Sequence, residues 1–439
     1  MDMPPNPLDW SLLSGPLPVL LLLAAVAAFG LLLAERTRSW WVWKAPVALG
    51  AALVLTAVLG VIVDRWWQPF PEGLPAEVLA WIGVAVTGGA VAAMRLPALG
   101  WPRRAAALAC AAIVGVTCLN QVNRYFQNYP TMRAALGPWL DTGTTFSRAA
   151  GRVTAEVVAP PGEMLADVWH PPPGLPTTGT LSRVSIPGTV SHFHARDAWV
   201  YLPPAYQAVP RPRLPLLVLL PGQPGSPRDW IDAGGMQRIL DVYAATHSGL
   251  APVVLMPDAT GSTIGNTLCI DSKLGNSETY LTVDVRNWVT GNLQVAPPEQ
   301  GWSVGGFSFG GTCSLQLAVR APGLYRTFLD LSGQREPTLG SHTDTVRRTF
   351  DGDEAAFARV DPVTILRTRQ FPTIAGRIIS GASDREFTPQ LRTVFQACRK
   401  AGMDVQMIEL PGSHSWQVWR AGLAQQLPWI AERGGLARR

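Results

Sequence analysis

The sequence is poor in the residues that most metal and nucleotide sites require. It has 5 cysteines and 6 histidines among 439 residues. It contains no H-E-x-x-H and no Cys-x-x-Cys pattern, both typical of zinc sites. The glycine fingerprints of P-loop and dinucleotide-binding folds are also absent. We therefore expect no metal and no cofactor, and we interpret His192 and His194 as solvent-facing residues of an early strand rather than metal ligands.

The few cysteines also limit the disulfide pattern. Cys110 and Cys118 fall inside an uncharged apolar run, where they are expected to pack as small apolar residues. Cys269, Cys313 and Cys398 remain. The C-terminal part of the chain can therefore form at most one internal disulfide.

Charged residues make up only 15% of the chain, and they are missing from four long runs near the N-terminus. These runs cover residues 17–34, 45–63, 78–94 and 105–123. Each approaches the ~20 residues that a helix needs to cross a bilayer. Tryptophans at their ends, such as Trp66, Trp67 and Trp101, are typical of membrane interfaces. The runs predict four transmembrane helices, against the alternative of buried core helices.

The composition divides the chain into three parts. We predict a four-helix transmembrane domain over residues 1–123, because the apolar runs end there. Residues 124–180 are predicted to be a juxtamembrane connector that ends in a linker rich in proline and threonine. Residues 181–439 are enough for one α/β domain with a large core.

The distribution of basic residues predicts the orientation of the helices. The first and third loops carry most of the positive charge, on Arg36, Arg38, Lys44, Arg95, Arg103 and Arg104. Basic loops stay in the cytoplasm, so four crossings place residues 181–439 outside it. If the third run did not cross the membrane, residues 181–439 would lie in the cytoplasm instead. We expect a multi-pass protein of the cell membrane. Its net charge of +5 suits membrane lipids as partners better than nucleic acid. The alternative is that the basic residues only set the topology of the helices.

A G-x-S-x-G pentapeptide at residues 306–310 is the strongest chemical signal in the chain. An apolar run precedes Ser308 and a helix-like stretch follows it, which is the strand–turn–helix context of a nucleophile elbow. The glycines permit the sharp turn, since a Cβ would obstruct it. Ser308 is therefore the predicted nucleophile. The alternative is a glycine-rich turn that contains a serine by chance.

A candidate acid and a candidate base follow Ser308 in the chain order of α/β-hydrolases. Asp384 comes directly after one predicted strand and His414 after the last one. The other histidine beyond Ser308 is His342, which we place in a polar loop. His414 is predicted to take the serine proton, and Asp384 to orient the imidazole. Asp384 could instead cap the following helix, and Glu386 is a rival for the role of acid.

Two backbone amides are predicted to form the oxyanion hole. The residue after the nucleophile, Phe309, supplies one of them. The second is assigned to Gln223, in the Pro- and Gly-rich loop that follows an apolar strand at residues 214–220. The alternative for this loop is a simple turn.

Several segments of the C-terminal part resemble one known family. They are YLPPAY at 201–206, Asp229-Trp230, Asp271-Ser272, the elbow, and His414-Ser415-Trp416 with Trp419. Over residues 181–427 the chain resembles the esterase D-like α/β-hydrolases, to which the mycobacterial mycolyltransferases are related. The resemblance implies the same roles for Ser308, Asp384, His414, Gln223 and Phe309. One departure is Pro221-Gly222, where relatives usually have His-Gly.

The predicted fold is a four-span helical membrane domain followed by an α/β-hydrolase domain with a mainly parallel sheet and helices on both faces. Strands are predicted near 183–186, 198–202, 214–220, 253–256, 302–307, 327–331, 377–380 and 405–410. The first two, close in sequence, suggest an antiparallel start.

The predicted function is that of a membrane-anchored serine esterase that cleaves carboxylic esters of the cell envelope through an acyl-enzyme. The membrane anchor suggests a lipid ester, an aminoacylated phospholipid or an acylated glycan as substrate. Two alternatives remain open from the sequence. One is a mycolyltransferase-like acyltransferase that passes the acyl group to a sugar or lipid hydroxyl, and the other is a catalytically inactive membrane scaffold.

Overall fold

The chain forms two compact units, Met1–Leu140 and Asp141–Arg439. The structure is a computed structural model that describes residues 6–67, 73–140, 143–146 and 153–438. The two units are described separately below.

The first unit consists of helices that are rich in apolar residues. They are α1 (Pro16–Leu33), α2 (Ala45–Val61), α3 (Ala76–Arg95), α4 (Trp101–Phe126) and the shorter α5 (Met132–Leu140). Four of them are long and apolar enough to cross a membrane, and π-helical turns extend α2 to Trp40–Trp67. The four helical segments expected from the uncharged runs are therefore confirmed.

The apolar side chains of these helices largely face outward. Leu23, Val26 and Val54 are each more than 60% exposed. Within the unit, α1 packs against α4, α4 against α3, and α3 against α2. Such outward-facing apolar surfaces would be unfavourable in water and are what a lipid environment selects.

Among its described residues, the second unit is built on a sheet of nine strands in the order β1-β3-β4-β7-β6-β10-β11-β12-β13. All its strand pairs are parallel except those that β4 makes with β3 and β7. The strands of the unit are β1 (Thr144–Thr145), β2 (Glu156–Val157), β3 (Thr180–Val184), β4 (Ala198–Leu202), β5 (Arg211–Pro212), β6 (Leu216–Leu220), β7 (Val253–Met256), β8 (Asp271–Ser272), β9 (Gly275–Asn276), β10 (Ser303–Phe307), β11 (Thr327–Leu331), β12 (Ala375–Gly381) and β13 (Asp404–Leu410).

Helices cover both faces of this sheet. They are α6 (Leu165–Val168), α7 (Asp229–Asp232), α8 (Met236–Ala245), α9 (Ser277–Thr279), α10 (Val285–Asn292), α11 (Pro298–Gly301), α12 (Phe309–Arg320), α13 (His342–Phe350), α14 (Glu354–Ala358), α15 (Pro362–Thr368), α16 (Phe387–Lys400) and α17 (Trp416–Arg433). Neighbouring residues of β11 show the two faces, since side chains alternate along a strand. Gly311 of α12 lies against Asp330, and Gly422 of α17 lies against Leu331.

The α/β-hydrolase fold predicted from the sequence is confirmed, including the antiparallel start. The central strands were predictable because they are apolar runs buried on both faces. Strands β4, β6, β10, β11 and β12 are buried along their whole length.

Three local expectations are wrong. The early strand runs over Thr180–Val184 rather than 183–186, because Pro187 follows and cannot donate to a ladder. His192 and His194 consequently lie exposed in the loop before β4, and not on a strand. His342 is the first residue of α13 rather than part of a loop, because the Ser341 side chain caps that helix by accepting from the Asp344 amide.

Residues between the two predicted domains contribute to both units. Helix α4 continues to Phe126, and α5 follows it in the first unit. In the second unit, β1 pairs in parallel with β3, and β2 pairs in parallel with β5. Two-residue strands of this kind carry no periodicity that a sequence pattern could reveal.

Candidate active site

Ser308 occupies a sharp turn between β10 and α12. Its backbone has φ 53° and ψ −120°, a conformation that a non-glycine residue adopts only under constraint. The Ser308 amide donates to the Leu331 carbonyl at 2.8 Å. A Cβ on Gly306 would lie 2.4 Å from the Gly310 backbone, and one on Gly310 would lie 2.5 Å from the Leu220 carbonyl oxygen. The two glycines of the pentapeptide are thus required by close backbone approach on both sides of the serine.

His414 lies between Ser308 and Asp384. Its Nε2 is 3.0 Å from Ser308 Oγ, and its Nδ1 is 3.2 Å from Asp384 Oδ2. Ser308 and Asp384 are both more than 90% buried. The three residues that the sequence singled out are therefore brought within hydrogen-bond distance in the order serine, imidazole, carboxylate. Such a line can move a proton from the hydroxyl to the imidazole while the carboxylate faces the other ring nitrogen.

Adjacent strand ends place the acid and the base side by side. Asp384 follows β12, and His414 follows β13. The two loops are joined by backbone hydrogen bonds, from Ala382 to Leu410 at 2.7 Å and from Ser383 to Gly412 at 2.8 Å. The second oxygen of Asp384, Oδ1, accepts from the Phe387 amide at 2.9 Å. Asp384 is thus fixed by the first turn of α16 as well as by His414.

Glu386, the rival for the acid role, is an exposed residue that lies beside this line. Partial desolvation and the charge of Asp384 raise the pKa of Glu386, while His414 acts in the opposite direction. The Glu386 amide donates to Asp384 Oδ1 at 3.3 Å. The carboxylate that faces His414 Nδ1 is that of Asp384.

The two segments assigned to the oxyanion hole meet at the elbow. Phe309 is the first residue of α12, so its amide has no acceptor within the helix. Gln223 follows β6, and a Cβ on the preceding Gly222 would lie 2.4 Å from the ring of Phe307. The loop also contacts Gly310, whose Cα faces the Pro221 carbonyl. The structure thus brings the Gln223 loop against the residues that flank Ser308.

A segment that sequence reasoning missed supports the Gln223 loop. We call residues 258–270, between β7 and β8, the strap. The Thr263 carbonyl accepts from the Gly225 amide at 2.8 Å, and the Ile264 carbonyl accepts from Gln223 Nε2 at 3.2 Å. At its far end, Cys269 forms a disulfide with Cys313 of α12. The strap therefore connects the Gln223 loop to the helix that follows Ser308.

Arg196 holds the near end of the strap. Its guanidinium pairs with Asp258 at 2.8 Å and also donates to the Gly225 carbonyl at 3.0 Å. Burial would raise the pKa of Asp258, but the hydrogen bonds and charge of Arg196 outweigh it and lower that pKa below its ordinary value. This ion pair could not be predicted from the sequence, because 62 residues separate Arg196 from Asp258.

A buried carboxyl group lies beneath the elbow helix. Asp330 in β11 is fully buried, and burial raises its pKa to about 7. The Gly333 amide donates to its Oδ1 at 2.7 Å, while Oδ2 has no hydrogen-bond partner among the described residues. Asp330 could not be singled out from the sequence, because a lone aspartate in an apolar strand shows no local pattern.

The arrangement suits covalent catalysis of acyl transfer by protein groups. Within the described ranges, no group of three or more His, Cys, Asp or Glu side chains is placed to hold a metal ion. The site offers a hydroxyl, an imidazole, a carboxylate and backbone amides, which are the components needed for acyl transfer.

Comparisons with known proteins identify the family to which the chain belongs. Residues 194–430 match the family described as "Putative esterase". An uncharacterized protein of Corynebacterium glutamicum is 35% identical over 430 residues, which cover 94% of each chain. Among solved structures, a ferulic acid esterase aligns with a TM-score of 0.52 at 17% identity, over 58% of this chain and 98% of its own. An S-formylglutathione hydrolase from Agrobacterium tumefaciens aligns with a TM-score of 0.49 at 18% identity, over 59% and 96%. The chain belongs to this esterase family of serine hydrolases, which act on carboxylic esters.

Proposed function

We propose that this protein is a membrane-anchored serine esterase in which Ser308, His414 and Asp384 form the catalytic triad. The observation that carries the proposal is the continuous line of contacts from Ser308 Oγ through both ring nitrogens of His414 to Asp384. His414 Nε2 takes the Ser308 proton as Oγ attacks the ester carbonyl, and Asp384 stabilises the imidazolium that results. The tetrahedral intermediate collapses when His414 returns the proton to the departing alcohol, which leaves an acyl-enzyme.

Water completes the reaction by the same steps in reverse order. His414 accepts a proton from water as the hydroxide attacks the acyl carbonyl, and it then protonates Ser308 as the acid departs. The amides of Gln223 and Phe309 donate to the oxyanion of both tetrahedral intermediates. Loss of one such donor typically lowers kcat by about 10²–10³.

The catalytic unit is proposed to lie outside the cytoplasm. The basic residues of the first and third loops support this orientation. The disulfide between Cys269 and Cys313 supports it independently, because disulfides persist mainly in oxidising compartments. The substrate is accordingly proposed to be an ester of the envelope, either a lipid ester, including aminoacylated phospholipids, or an acylated glycan, with membrane lipids as the surrounding partner.

Hydrolysis and acyl transfer differ only in the acceptor that meets the acyl-enzyme. The decisive experiment is turnover of a short-chain p-nitrophenyl ester and a long-chain one by detergent-solubilised protein in ¹⁸O-water, with and without a sugar acceptor such as glucose. We expect one ¹⁸O atom in each molecule of released acid, and no turnover by the Ser308→Ala variant. An unlabelled sugar ester as the main product would replace the esterase proposal by acyltransferase activity on the same triad.

A further inference from the structure

The imidazole of His414 lies between two aromatic side chains from different helices. The Phe387 ring stacks on it with centroids 4.1 Å apart and an angle of 25° between the planes. The Trp419 ring meets it edge-to-face, with centroids 5.1 Å apart and an angle of 86°. Both aromatic residues are more than 90% buried. The stacked Phe387 ring restricts tilting of the imidazole, and the Trp419 ring restricts its rotation within its own plane.

Each of these two residues also contacts the segment that carries another member of the triad. The Phe387 amide donates to Asp384 Oδ1 at 2.9 Å, so this residue contacts both the acid and the base. The Trp419 ring stacks on Phe307, the residue before Ser308, with centroids 4.5 Å apart. The positions of nucleophile, base and acid are thus coupled through two aromatic residues.

The Trp419 side of this arrangement belongs to a larger aromatic cluster. Trp416 packs against Phe307 with centroids 4.4 Å apart, and Trp230 meets both of them edge-on. The Trp230 indole N–H donates to the Leu220 carbonyl, at the end of the strand that leads into the Gln223 loop. A cluster that is packed on all sides and anchored by a hydrogen bond holds its rings in defined orientations.

The imidazole needs such a constraint for two reasons. The second side-chain torsion of histidine has broad minima, so the ring plane must be set by its surroundings. Both hydrogen bonds of the triad form only in one orientation of the His414 ring, because Nε2 must face Ser308 while Nδ1 faces Asp384. In addition, the ring becomes positively charged in the transition state, and aromatic rings stabilise a nearby cation through their π-faces.

We propose that Phe387 and Trp419 are positioning residues for catalysis, which hold the His414 ring in the plane of the triad and favour its protonated form. This inference rests on the proposed esterase function. The carboxylates that act on His414 are Asp384 and Glu386, the elbow presents the Ser308 hydroxyl, and α17 presents aromatic rings. Substitution of the two aromatic residues leaves these polar groups in place.

Substitutions at Trp419 can distinguish the contribution of its ring from that of its indole N–H group. Trp419 Nε1 is buried and has no hydrogen-bond partner within the described part of the chain. Trp419→Phe therefore keeps an aromatic ring and removes a group that donates to no neighbour, while Trp419→Leu removes the ring. Phe371→Leu serves as a matched control, because Phe371 is a comparably buried aromatic residue before β12 and its ring contact is with Arg369.

The test is the pH dependence of kcat and kcat/KM for p-nitrophenyl butyrate, measured on folded variants of the full chain in detergent. For Phe387→Leu and Trp419→Leu we expect kcat to fall by about 10–100-fold, as for a misplaced catalytic group, with KM changed less than about twofold. The acidic limb of the kcat/KM profile should move to lower pH, because the imidazolium loses the stabilising rings. Trp419→Phe and Phe371→Leu should keep the wild-type profile and a kcat within about threefold of it.

The outcomes separate this inference from the esterase proposal. Wild-type protein that does not turn over the ester would refute the esterase proposal itself. Active wild type with unchanged kcat and pH profile in both leucine variants would overturn the positioning role alone. Should Phe387→Leu fail to fold, Phe387→Met takes its place. Comparison of Trp419→Leu with Trp419→Phe tests the positioning role at the other ring.

Discussion

Asp384 and Glu386 stand two positions apart at the start of α16, yet they relate differently to His414. Asp384 Oδ2 faces Nδ1 of the imidazole, whereas Glu386 is exposed beside it, and partial desolvation together with the charge of Asp384 raises its pKa. The sequence could not choose between them, since both follow the same strand. Their different roles depend on the hydrogen bonds by which the backbone amides of Glu386 and Phe387 hold the Asp384 carboxylate at the start of α16.

Neutralising the two carboxylates one at a time tests this difference. Asp384→Asn should lower kcat by about 10⁴-fold, because the amide favours the wrong imidazole tautomer. Glu386→Gln is nearly isosteric and should change kcat by less than about tenfold. Steady-state kinetics with p-nitrophenyl butyrate would check both. A larger loss in Glu386→Gln than in Asp384→Asn would reassign the acid.

Asp330 gives a prediction about stability and pH. Its pKa is raised by burial to about 7 in the folded protein, while an exposed aspartate titrates near 3.9. Between these values the unfolded chain has released the proton and the folded chain retains it. Wild type should therefore lose stability, relative to Asp330→Asn, as the pH rises from about 4 to about 7, by at most ~1.4 kcal/mol per pH unit.

Urea denaturation of both proteins across this pH range, followed by tryptophan fluorescence, measures the difference. The asparagine retains an oxygen for the Gly333 amide, so the comparison isolates the charge. Parallel pH dependences of the two proteins would show that Asp330 carries no such penalty.

At the scale of elements, the strap is the part of the site that the sequence concealed. Its contacts with the Gln223 loop join residues about 40 positions apart, and no local pattern marks them. The cysteine count allowed one disulfide in this region, but it could not select the partners. Folding does so by placing Cys269 and Cys313 with Cα atoms 5.5 Å apart.

Removing that disulfide should destabilise the catalytic unit. The bond closes a loop across 44 positions, for which the chain-entropy relation gives about 4 kcal/mol. Cys269→Ala with Cys313→Ala should lower the midpoint of denaturation accordingly, and a reducing agent should bring wild type to the same midpoint. Cys398→Ala is the control, since Cys398 is a buried cysteine outside the bond. Insensitivity of wild type to the reductant would contradict the expectation.

The predictable elements share a physical character. Strands such as β6 and β11 are apolar runs with buried side chains, and α12 begins directly after a motif whose glycines fix the turn. Helix α13 was missed because its first turn is polar, and the signal that could have found it was Ser341 as a capping residue. The aromatic rings around His414 depend on contacts between α16 and α17, which no single segment encodes.

At the scale of the whole molecule, the question is on which side of a membrane the catalytic unit lies. Four apolar helices place both ends of the first unit on the same side if all of them cross. Alkaline phosphatase fused after Leu140 should therefore be active, since it requires export. A fusion after Glu35, in the first basic loop, should be inactive. The opposite pattern would place the catalytic unit in the cytoplasm.

The central claim is that Ser308, activated by His414, is the nucleophile. The most direct measurement is labelling of detergent-solubilised protein by a fluorophosphonate probe, which reacts with activated serines. We predict labelling of wild type and its loss in both Ser308→Ala and His414→Ala. Label that persists in Ser308→Ala, or its absence from folded wild type, would contradict the account.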